Sequence, residues 1–344
     1  MKKVVGIGMS GGVDSATSAY LLKEAGYEVI GITMKLIDGE KTETAIADAK
    51  KVCDVLKIKH HVVDLRDMFK KIVINNFVES YKNGTTPNPC CVCNKYFKFS
   101  LFYDEARKLG CDFISTGHYA RICDGKLYRA LVAEKDQSYF LWGINKDILN
   151  HVILPLQDYH DKSEIREIAK KAGLVVDMKK DSQEICFIPN DDYKAFLDAN
   201  LDSLPVGGDI CLEDGTVLGK HKGLVYYTIG QRKGLNISYK EPLYVIEIDT
   251  LNNKLIVGPN KSLFKTKLVA NSVNLLVDEI PNTIFAKVRS RGGLKPCFVQ
   301  FIDNNKMIVE FMESERAITL GQSVVLYDDN DCCLGGGIIE SVYK

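Results

Sequence analysis

The chain has no apolar run approaching the roughly 20 residues that span a bilayer, so a transmembrane protein is not expected. No signal-like leader precedes the first strand-like segment, and the cytoplasm is the expected compartment. The formal net charge is zero, so overall charge does not indicate a nucleic-acid-binding protein. Internal repeats and low-complexity segments are also missing, which argues against a repeat architecture.

The informative features of the sequence are its length, its many cysteines and two locally basic runs. A chain of 344 residues exceeds one ordinary core, and two or three domains are expected. Eleven cysteines in a cytosolic chain should be reduced, and most are expected to be small buried hydrophobes. Two runs, 215–240 and 280–302, carry five and four Lys/Arg residues without Asp or Glu. Such runs are usually solvated faces, but they permit a phosphate-binding surface.

The first part of the chain alternates short apolar runs with helical patterns. Because βαβ units produce parallel strands with helices on both faces, an α/β doubly wound sheet is expected, with ligands at the carboxyl ends of its strands. The predicted strands are Val4–Gly8, Glu28–Met34, His60–Asp64 and Asp112–Thr116. The predicted helices are Asp14–Ala25, Thr42–Leu56, Met68–Asn83, Leu101–Leu109, Ser163–Ala172 and Asp191–Asn200, the last with Asp191 as its N-cap.

The pattern changes at Leu204–Gly208, a Pro/Gly-containing linker. Short strands with turn residues such as Asp214-Gly215 follow, which predicts a small central β-rich domain and a C-terminal β-barrel. The strands predicted near the C-terminus are Thr283–Arg289, Cys297–Phe301, Met307–Phe311 and Ser323–Tyr327. The expected domains are 1–203, 204–268 and 269–344.

A Gly/Ser-rich loop, Ser10-Gly11-Gly12-Val13-Asp14-Ser15, joins the first strand to the first helix. Glycines let backbone N–H groups approach an oxyanion, and the helix N-terminus adds partial positive charge. Asp14 could orient a metal or a loop amide. A Walker loop is excluded because no Lys is available. A dinucleotide site is disfavoured because Gly6 falls inside the strand and Thr33–Lys35 has no acid for a ribose.

The segment Thr86–Lys95 carries a Cys90-x-x-Cys93 pair, and its prolines predict a turn outside the core. Such a pair can hold a soft metal, an iron–sulfur cluster or a redox disulfide, and Lys95 and Lys98 would favour thiolates. A zinc knuckle requires a second Cys/His pair, which is missing. From its spacing alone, Cys186 is expected to be a core cysteine.

Seven motifs in order resemble the tRNA-specific 2-thiouridylase family, within the PP-loop (adenine nucleotide alpha hydrolase-like) ATP pyrophosphatases. Besides S-G-G-V-D-S they are T-P-N-P-x-x-x-C-N-K, S-T-G-H-Y-A, K-D-Q-S-Y-F-L, D-S-x-x-I-C-F-I, G-Q-R-K-G-L and C-L-G-G-G-I-I, which run from Thr86 to Ile339. The resemblance implies an enzyme that uses ATP and Mg²⁺ to adenylate O2 of the wobble uridine (U34) in tRNAs for Lys, Glu and Gln, and then transfers sulfur to it.

The resemblance also implies roles for individual residues. It assigns Cys93 as nucleophile and Cys186 as the persulfide-bearing cysteine. The residues implied to bind ATP are Gly8, Met9, Ser10, Gly11, Gly12, Val13, Asp14, Ser15, Met34 and Gly117. The residues implied to contact tRNA are Asn88, Pro89 and Cys90 at the target base, and elsewhere His118, Lys135, Asp136, Gln137, Arg289, Ser290 and Gln322.

One departure affects the sulfur chemistry, because many members of the family carry Asp where this chain has Cys90. Two routes stay open: a persulfide on Cys186 with a disulfide to Cys93, or a [4Fe–4S] cluster. Cys90, Cys93 and Cys186 supply three thiolates, which favours the cluster as a hypothesis. The resemblance further implies a tRNA anticodon stem-loop as partner, a sulfur donor such as a cysteine desulfurase or relay protein, no membrane and a monomer.

Two other functions are compatible with the loop alone. A small-molecule PP-loop synthetase or amidotransferase would not depend on cysteine or tRNA. A non-enzymatic RNA-binding protein would bind tRNA without consuming ATP. Cys53, Cys111, Cys123, Cys211, Cys297 and Cys332 are expected to be packing residues, whereas Cys333 has no assigned chemistry and the role of Cys91 stays open.

Overall fold

The N-terminal half is built on a parallel sheet flanked by helices. A computed structural model describes residues 2–174 and 185–343. The strands of this half are β1 (Val4–Gly8), β2 (Glu28–Lys35), β3 (Lys59–Asp64), β4 (Phe113–Ser115), β5 (Arg121–Cys123), β6 (Lys126–Tyr128) and β7 (Val152–Ile153). Five of them form a parallel sheet in the order β3-β2-β1-β4-β7, while β5 and β6 pair as a separate hairpin.

The helices of this half are α1 (Val13–Glu24), α2 (Glu40–Leu56), α3 (Arg66–Phe69), α4 (Asn75–Lys82), α5 (Pro89–Cys93), α6 (Phe102–Lys108), α7 (Lys162–Lys171) and α8 (Tyr193–Asn200). Two π-helical segments connect neighbours, Lys70–Ile74 between α3 and α4 and Asn94–Leu101 between α5 and α6. The short 3₁₀ turns described in the chain are Ala133–Lys135, Ser138–Phe140, Lys146–His151, Pro189–Asp191, Leu224–Tyr226 and Asn260–Leu263.

The two faces of the sheet are covered by different helices, as the alternating pattern predicts. Val5 and Ile7 of β1 pack with α1, α2 and α7 in one apolar cluster. Ile30 and Ile32 of β2 point the other way, into a cluster with α6. A Cβ on Gly6 would lie 2.9 Å from the Cβ of Ala106, so this glycine lets α6 approach β1. The predicted doubly wound α/β arrangement is confirmed.

The helix expected at Met68–Asn83 is confirmed as a continuous helical stretch of α3, a π segment and α4. One local prediction is wrong. The N-cap of α8 is Asp192, whose side chain accepts from the Ala195 N–H at 3.0 Å, and not Asp191. Both residues can cap a helix, so residue type did not distinguish them.

The second half is all β. Its strands are β8 (Gly208–Leu212), β9 (Val217–His221), β10 (Leu243–Asp249), β11 (Lys254–Pro259), β12 (Phe264–Leu275), β13 (Ile284–Lys287), β14 (Lys295–Phe301), β15 (Met307–Arg316), β16 (Ser323–Tyr327) and β17 (Cys333–Tyr343). The first four form a sheet in the order β10-β11-β8-β9. The remaining six close into the barrel β12-β15-β14-β13-β16-β17, which confirms the barrel prediction. The domain boundaries at 204 and 269 stay predictions.

The barrel shares a core with the N-terminal half. Tyr139 and Trp142 lie in one buried cluster with Val325, Tyr327 and Cys333 of the barrel. Apolar burial of this kind stabilises a domain contact because it removes both surfaces from water. Among the described residues, no helix is long and apolar enough to cross a membrane.

Candidate active site

The Ser10–Ser15 loop leaves the N-terminus of α1 open. Its N-cap, Gly12, provides no side-chain hydrogen bond to the first turn, so the N–H groups there are available to a ligand. The Ser15 hydroxyl folds back, donating to the Gly12 carbonyl at 3.0 Å and accepting from the Ser10 N–H at 3.2 Å. Gly11 has φ of +75°, and a Cβ there would lie 2.7 Å from the Ala45 carbonyl oxygen. The loop is therefore a glycine-dependent cradle suited to an anion.

Asp14 is held by Tyr119, which lies in the S-T-G-H-Y-A motif without an assigned role, and by Lys162, which the sequence did not single out. Its carboxylate accepts from the Tyr119 hydroxyl at 2.9 Å and pairs with Lys162 Nζ at 3.2 Å. Burial, with the charge of Asp14, raises the pKa of Tyr119, so the phenol stays protonated and donates. Both partners lie more than 100 positions along the chain from Asp14, and no spacing pattern could have indicated them.

The other residues implied to bind ATP also gather at the carboxyl ends of the strands. A Cβ on Gly117, just after β4, would lie 3.1 Å from the Cβ of Asp14. Met34 lies near the end of β2, next to Thr33. The Thr33 hydroxyl donates to the Met9 carbonyl at 2.9 Å and fixes the start of the loop. Gly8–Ser15, Met34 and Gly117 thus surround one edge of the sheet.

The cysteine segment is a helix, and the predicted turn is wrong. Pro89 occupies the first helical position, where its missing N–H costs nothing. Asn88 caps the helix by accepting from the Cys91 N–H at 3.3 Å. The chain continues through the π segment Asn94–Leu101 into α6, so one helical rod carries the segment to the sheet. Residues implied to meet the target base, Asn88, Pro89 and Cys90, therefore form a helix N-terminus.

The charge of Lys98 acts on three thiols, those of Cys90, Cys93 and Cys186. Cys90 and Cys186 are exposed and Cys93 is buried, so Cys186 is not the core residue that spacing predicted. Desolvation raises the pKa of all three thiols, that of Cys93 to about 11, while the charge of Lys98 lowers each. The thiols are therefore mainly protonated near neutral pH. Of the two lysines predicted to favour thiolates, Lys98 on the π segment acts on all three thiols, but its charge does not offset the desolvation.

The three thiols do not form a preassembled metal site. Within residues 2–174 and 185–343, no group of three or more His, Cys, Asp or Glu side chains is placed to hold a metal ion. A [4Fe–4S] cluster needs its thiolates converging on one centre. The three thiols are therefore not grouped around one metal ion in the described structure, and the cluster stays a hypothesis. Asp181–Glu184, the first part of the motif that carries Cys186, lie outside the described residues.

Cys91 faces the barrel, away from this group. Its sulfur accepts from the Ser323 hydroxyl at 3.6 Å and lies 3.8 Å from the Tyr139 carbonyl oxygen. The Ser323 hydroxyl also accepts from Trp142 Nε1 at 2.9 Å. Burial raises the pKa of Cys91 to about 12. Cys91 is thus a packing residue that joins α5 to the barrel.

Several residues implied to contact tRNA have buried side chains. His118 is buried, and its Nδ1 forms a hydrogen bond with Thr116 Oγ1 at 2.7 Å. Desolvation lowers the pKa of His118. The Asp136 side chain is fully buried and accepts from the Ala130 and Ser138 N–H groups at 3.1 Å. A direct RNA contact by the Asp136 carboxylate would require it to leave this environment.

The neighbours of Asp136 also point inward. Gln137 accepts from the Tyr119 N–H at 2.9 Å through its side chain. Lys135 Nζ lies 5.4 Å from the Tyr119 ring centroid and 3.9 Å from Asp161. The Lys135–Gln137 segment therefore lies beside the residues that hold Asp14.

The barrel residues implied to contact tRNA differ in exposure. Arg289 is part-exposed and donates to the Arg316 carbonyl at 2.7 Å and to Glu315 at 3.1 Å. Ser290 is next to it and half-buried. Gln322 instead donates into the N-terminal half, to the carbonyls of Thr86 at 2.9 Å and Pro87 at 3.2 Å.

The remaining cysteines follow the packing prediction with one exception. Cys123 is exposed, at the end of the β5–β6 hairpin, where a short edge strand cannot bury it. The buried members are Cys53, Cys111, Cys211, Cys297, Cys332 and Cys333.

Family models match almost the whole chain in three parts. Their descriptions are a tRNA methyl transferase HUP domain at residues 2–190, a tRNA methyl transferase PRC-barrel domain at 194–259 and an aminomethyltransferase beta-barrel domain at 265–339. Among solved structures, the U34-tRNA thiolase NcsA from Methanococcus maripaludis with its [4Fe–4S] cluster is 23% identical with a TM-score of 0.38, covering 58% of this chain and 67% of that one. This likeness is too low to carry an argument.

Curated relatives are far closer. The chain is 44% identical to the tRNA-specific 2-thiouridylase MnmA of Clostridioides difficile, with 99% of each chain covered. It is 47% identical to the tRNA-specific 2-thiouridylase MnmA 1 of Clostridium tetani, covering 99% of this chain and 98% of the relative. Identity at this level over full length is shared by proteins of one family. The chain therefore belongs to the tRNA-specific 2-thiouridylases, enzymes that transfer sulfur to a uridine of tRNA.

Proposed function

We propose that this enzyme uses ATP to thiolate position 2 of the wobble uridine (U34) in tRNAs for Lys, Glu and Gln. One observation carries the proposal: the nucleotide loop and the thiols are neighbours. Gly117 packs against Asp14, and the ring of the next residue, His118, lies 5.7 Å from the ring of Phe99, on the π segment that follows Cys93. Lys98, the neighbour of Phe99, acts electrostatically on all three thiols. A base activated at the loop would therefore be close to the sulfur nucleophile.

The first step uses the open N-terminus of α1. ATP phosphates, with Mg²⁺, would accept from the loop N–H groups, and Lys162 would add positive charge beside Asp14. Arg166, one turn further along α7, acts electrostatically on Tyr119, and its Nε is buried without a hydrogen-bond partner among the described residues. These cations suit the departing pyrophosphate. The uridine O2 attacks the α-phosphorus, the bond to pyrophosphate breaks, and AMP is attached to O2.

The second step replaces oxygen by sulfur. A donor protein, such as a cysteine desulfurase or relay protein, would place a persulfide on the exposed Cys186. Its terminal sulfur attacks C2 of the base, and AMP leaves with the original oxygen. Cys93 then attacks the inner sulfur of Cys186, which frees the thiolated base and leaves a Cys93–Cys186 disulfide. An external dithiol supplies the two electrons that restore both thiols.

The persulfide route is proposed because Cys186 is exposed to a donor, whereas Cys90, Cys93 and Cys186 are not grouped around a metal ion in the described residues. Iron and sulfide analysis after anaerobic reconstitution discriminates between the routes. The persulfide route predicts thiolation by protein without iron. Stoichiometric iron that is required for thiolation would contradict it.

Exposed basic residues beside the site suit the RNA backbone. The Thr228 and Thr86 hydroxyls lie 3.1 Å apart, so the central domain reaches the segment just before α5. From Thr228 the chain enters a loop in which the side chains of Arg232 and Lys233 are exposed and form no ion pair within the described residues. This loop provides positive charge for tRNA phosphates, whereas in the run at 280–302 Lys287 is buried and Arg289 and Lys295 pair with Glu315 and Glu313.

Cysteine substitutions test the proposal. Cys93→Ser and Cys186→Ser should abolish 2-thiouridine formation while leaving the Kd for tRNA within about twofold, because neither sulfur is needed for phosphate contacts. The exposed Cys123 is the matched control, and Cys123→Ser should keep full activity. Retained thiolation by either active-site variant would refute its role.

A further inference from the structure

The segment Thr85–Pro87, just before α5, is the point where all three domains meet. The Thr86 N–H donates to the Leu320 carbonyl of the barrel at 2.8 Å. The Thr86 hydroxyl contacts Thr228 of the central domain at 3.1 Å. What holds this segment also sets the position of the cysteine helix that begins at Pro89.

The side-chain amide of Gln322 forms hydrogen bonds with this segment. Its Nε2 donates to the Thr86 carbonyl at 2.9 Å and to the Pro87 carbonyl at 3.2 Å, which uses both amide hydrogens. The preceding residue, Gly321, has φ of +86°, and a Cβ there would lie 3.0 Å from both Thr85 Cβ and the Thr86 carbonyl oxygen. The barrel loop and the cysteine segment are therefore in direct contact at this point.

The next barrel residue contacts the cysteine helix itself. Ser323 donates to Cys91 Sγ at 3.6 Å, and its carbonyl accepts from the Tyr139 hydroxyl at 2.8 Å. With about 100° of rotation per residue, a helix that turns Cys91 to the barrel turns Cys90 and Cys93 to other sides. The contacts at Gln322 and Ser323 thus fix both the position and the rotation of α5.

We propose that Gln322 is a positioning residue for sulfur transfer, which holds α5 against the barrel through its amide N–H groups. The proposal rests on the proposed function, because it takes Cys93 as the residue that acts on the persulfide. A small displacement of a reacting group can cost on the order of 10²-fold in rate. Loss of Gln322 would therefore lower the turnover rate at saturating tRNA.

The experiment compares Gln322→Met, which keeps the shape but removes the donor, with Gln300→Met, an exposed glutamine of β14 in the same barrel. For Gln322→Met, kcat for thiolation at saturating tRNA should fall at least about tenfold, while single-turnover pyrophosphate release under the same conditions stays within about twofold. The Gln300→Met enzyme should match the parent. Gln322→Glu has the same length without a donor and should show the same loss.

The competing results are distinct. A weaker Kd for tRNA with kcat retained would show that Gln322 contacts RNA, and unchanged values for both would also overturn the positioning role. Rescue of kcat by Gln322→His, which keeps an N–H donor, would support it. A Cys93→Ser enzyme that still thiolates refutes the proposed function, whereas an unaffected Gln322→Met enzyme beside an inactive Cys93→Ser enzyme refutes only the positioning role.

Discussion

Replacement of Asp136 by Asn tests whether this residue is structural. Its fully buried carboxylate lies 3.8 Å from Lys287 Nζ and 3.4 Å from Arg129 Nε. Lys287 is itself only 5% exposed, and burial lowers its pKa. Asn keeps the acceptor for the Ala130 and Ser138 N–H groups but removes the charge. Breaking one partner of a buried ion pair costs about 3–5 kcal/mol, because the other charge stays buried and unpaired.

The free energy of unfolding is measured by urea denaturation. Trp142, the single tryptophan, is buried beside the barrel, and its fluorescence follows unfolding. Asp136→Asn should lower that free energy by about 3 kcal/mol or more, and a second change, Lys287→Met, should restore much of the loss. The control is Asp278→Asn, since the Asp278–Lys146 pair is exposed and such surface pairs contribute little to stability. Lost tRNA affinity with unchanged unfolding free energy would refute the structural role.

Three further outcomes follow from the same contacts. Gly11→Ala should raise the KM for ATP roughly 5- to 150-fold, because strain of about 1–3 kcal/mol at positive φ and a 2.7 Å contact with the Ala45 carbonyl oxygen would displace the nucleotide loop. Gly26→Ala, strained but in open space outside the loop, should leave the KM unchanged. Replacing Arg232 and Lys233 by Ala should reduce the salt dependence of tRNA binding by about one unit per lost phosphate contact, and an unchanged slope would exclude them. Alkylation of Cys93, whose pKa burial raises to about 11, should accelerate about tenfold per pH unit from pH 7 to 10, and a plateau below pH 8 would contradict this.

The sheet and the barrel could be predicted because local patterns specify them. Val5 and Ile7 alternate in β1 with small residues, and Gly215, at φ of +89°, follows Asp214 between β8 and β9. The nucleotide loop could be located for the same reason, since its glycines and its place between β1 and α1 are adjacent in sequence.

Long-range contacts could not be predicted from local patterns. The pairing of Asp14 with Lys162 depends on how α7 packs against α1. The burial of Asp136 and the inward contacts of Gln322 depend on where the barrel docks. The turn expected at Cys90 became a helix because Pro89 suits a first helical turn as well as a loop.

The central claim is that ATP cleavage and sulfur transfer are directed at one uridine of tRNA. The direct test incubates the enzyme with ATP, Mg²⁺, a persulfide donor and a tRNA for Lys, and measures pyrophosphate and 2-thiouridine by mass spectrometry of the digested nucleosides. The account predicts that both products require tRNA, and that a tRNA with cytidine at the wobble position yields neither. Pyrophosphate released without tRNA, or tRNA bound without any thiolated uridine, would contradict it.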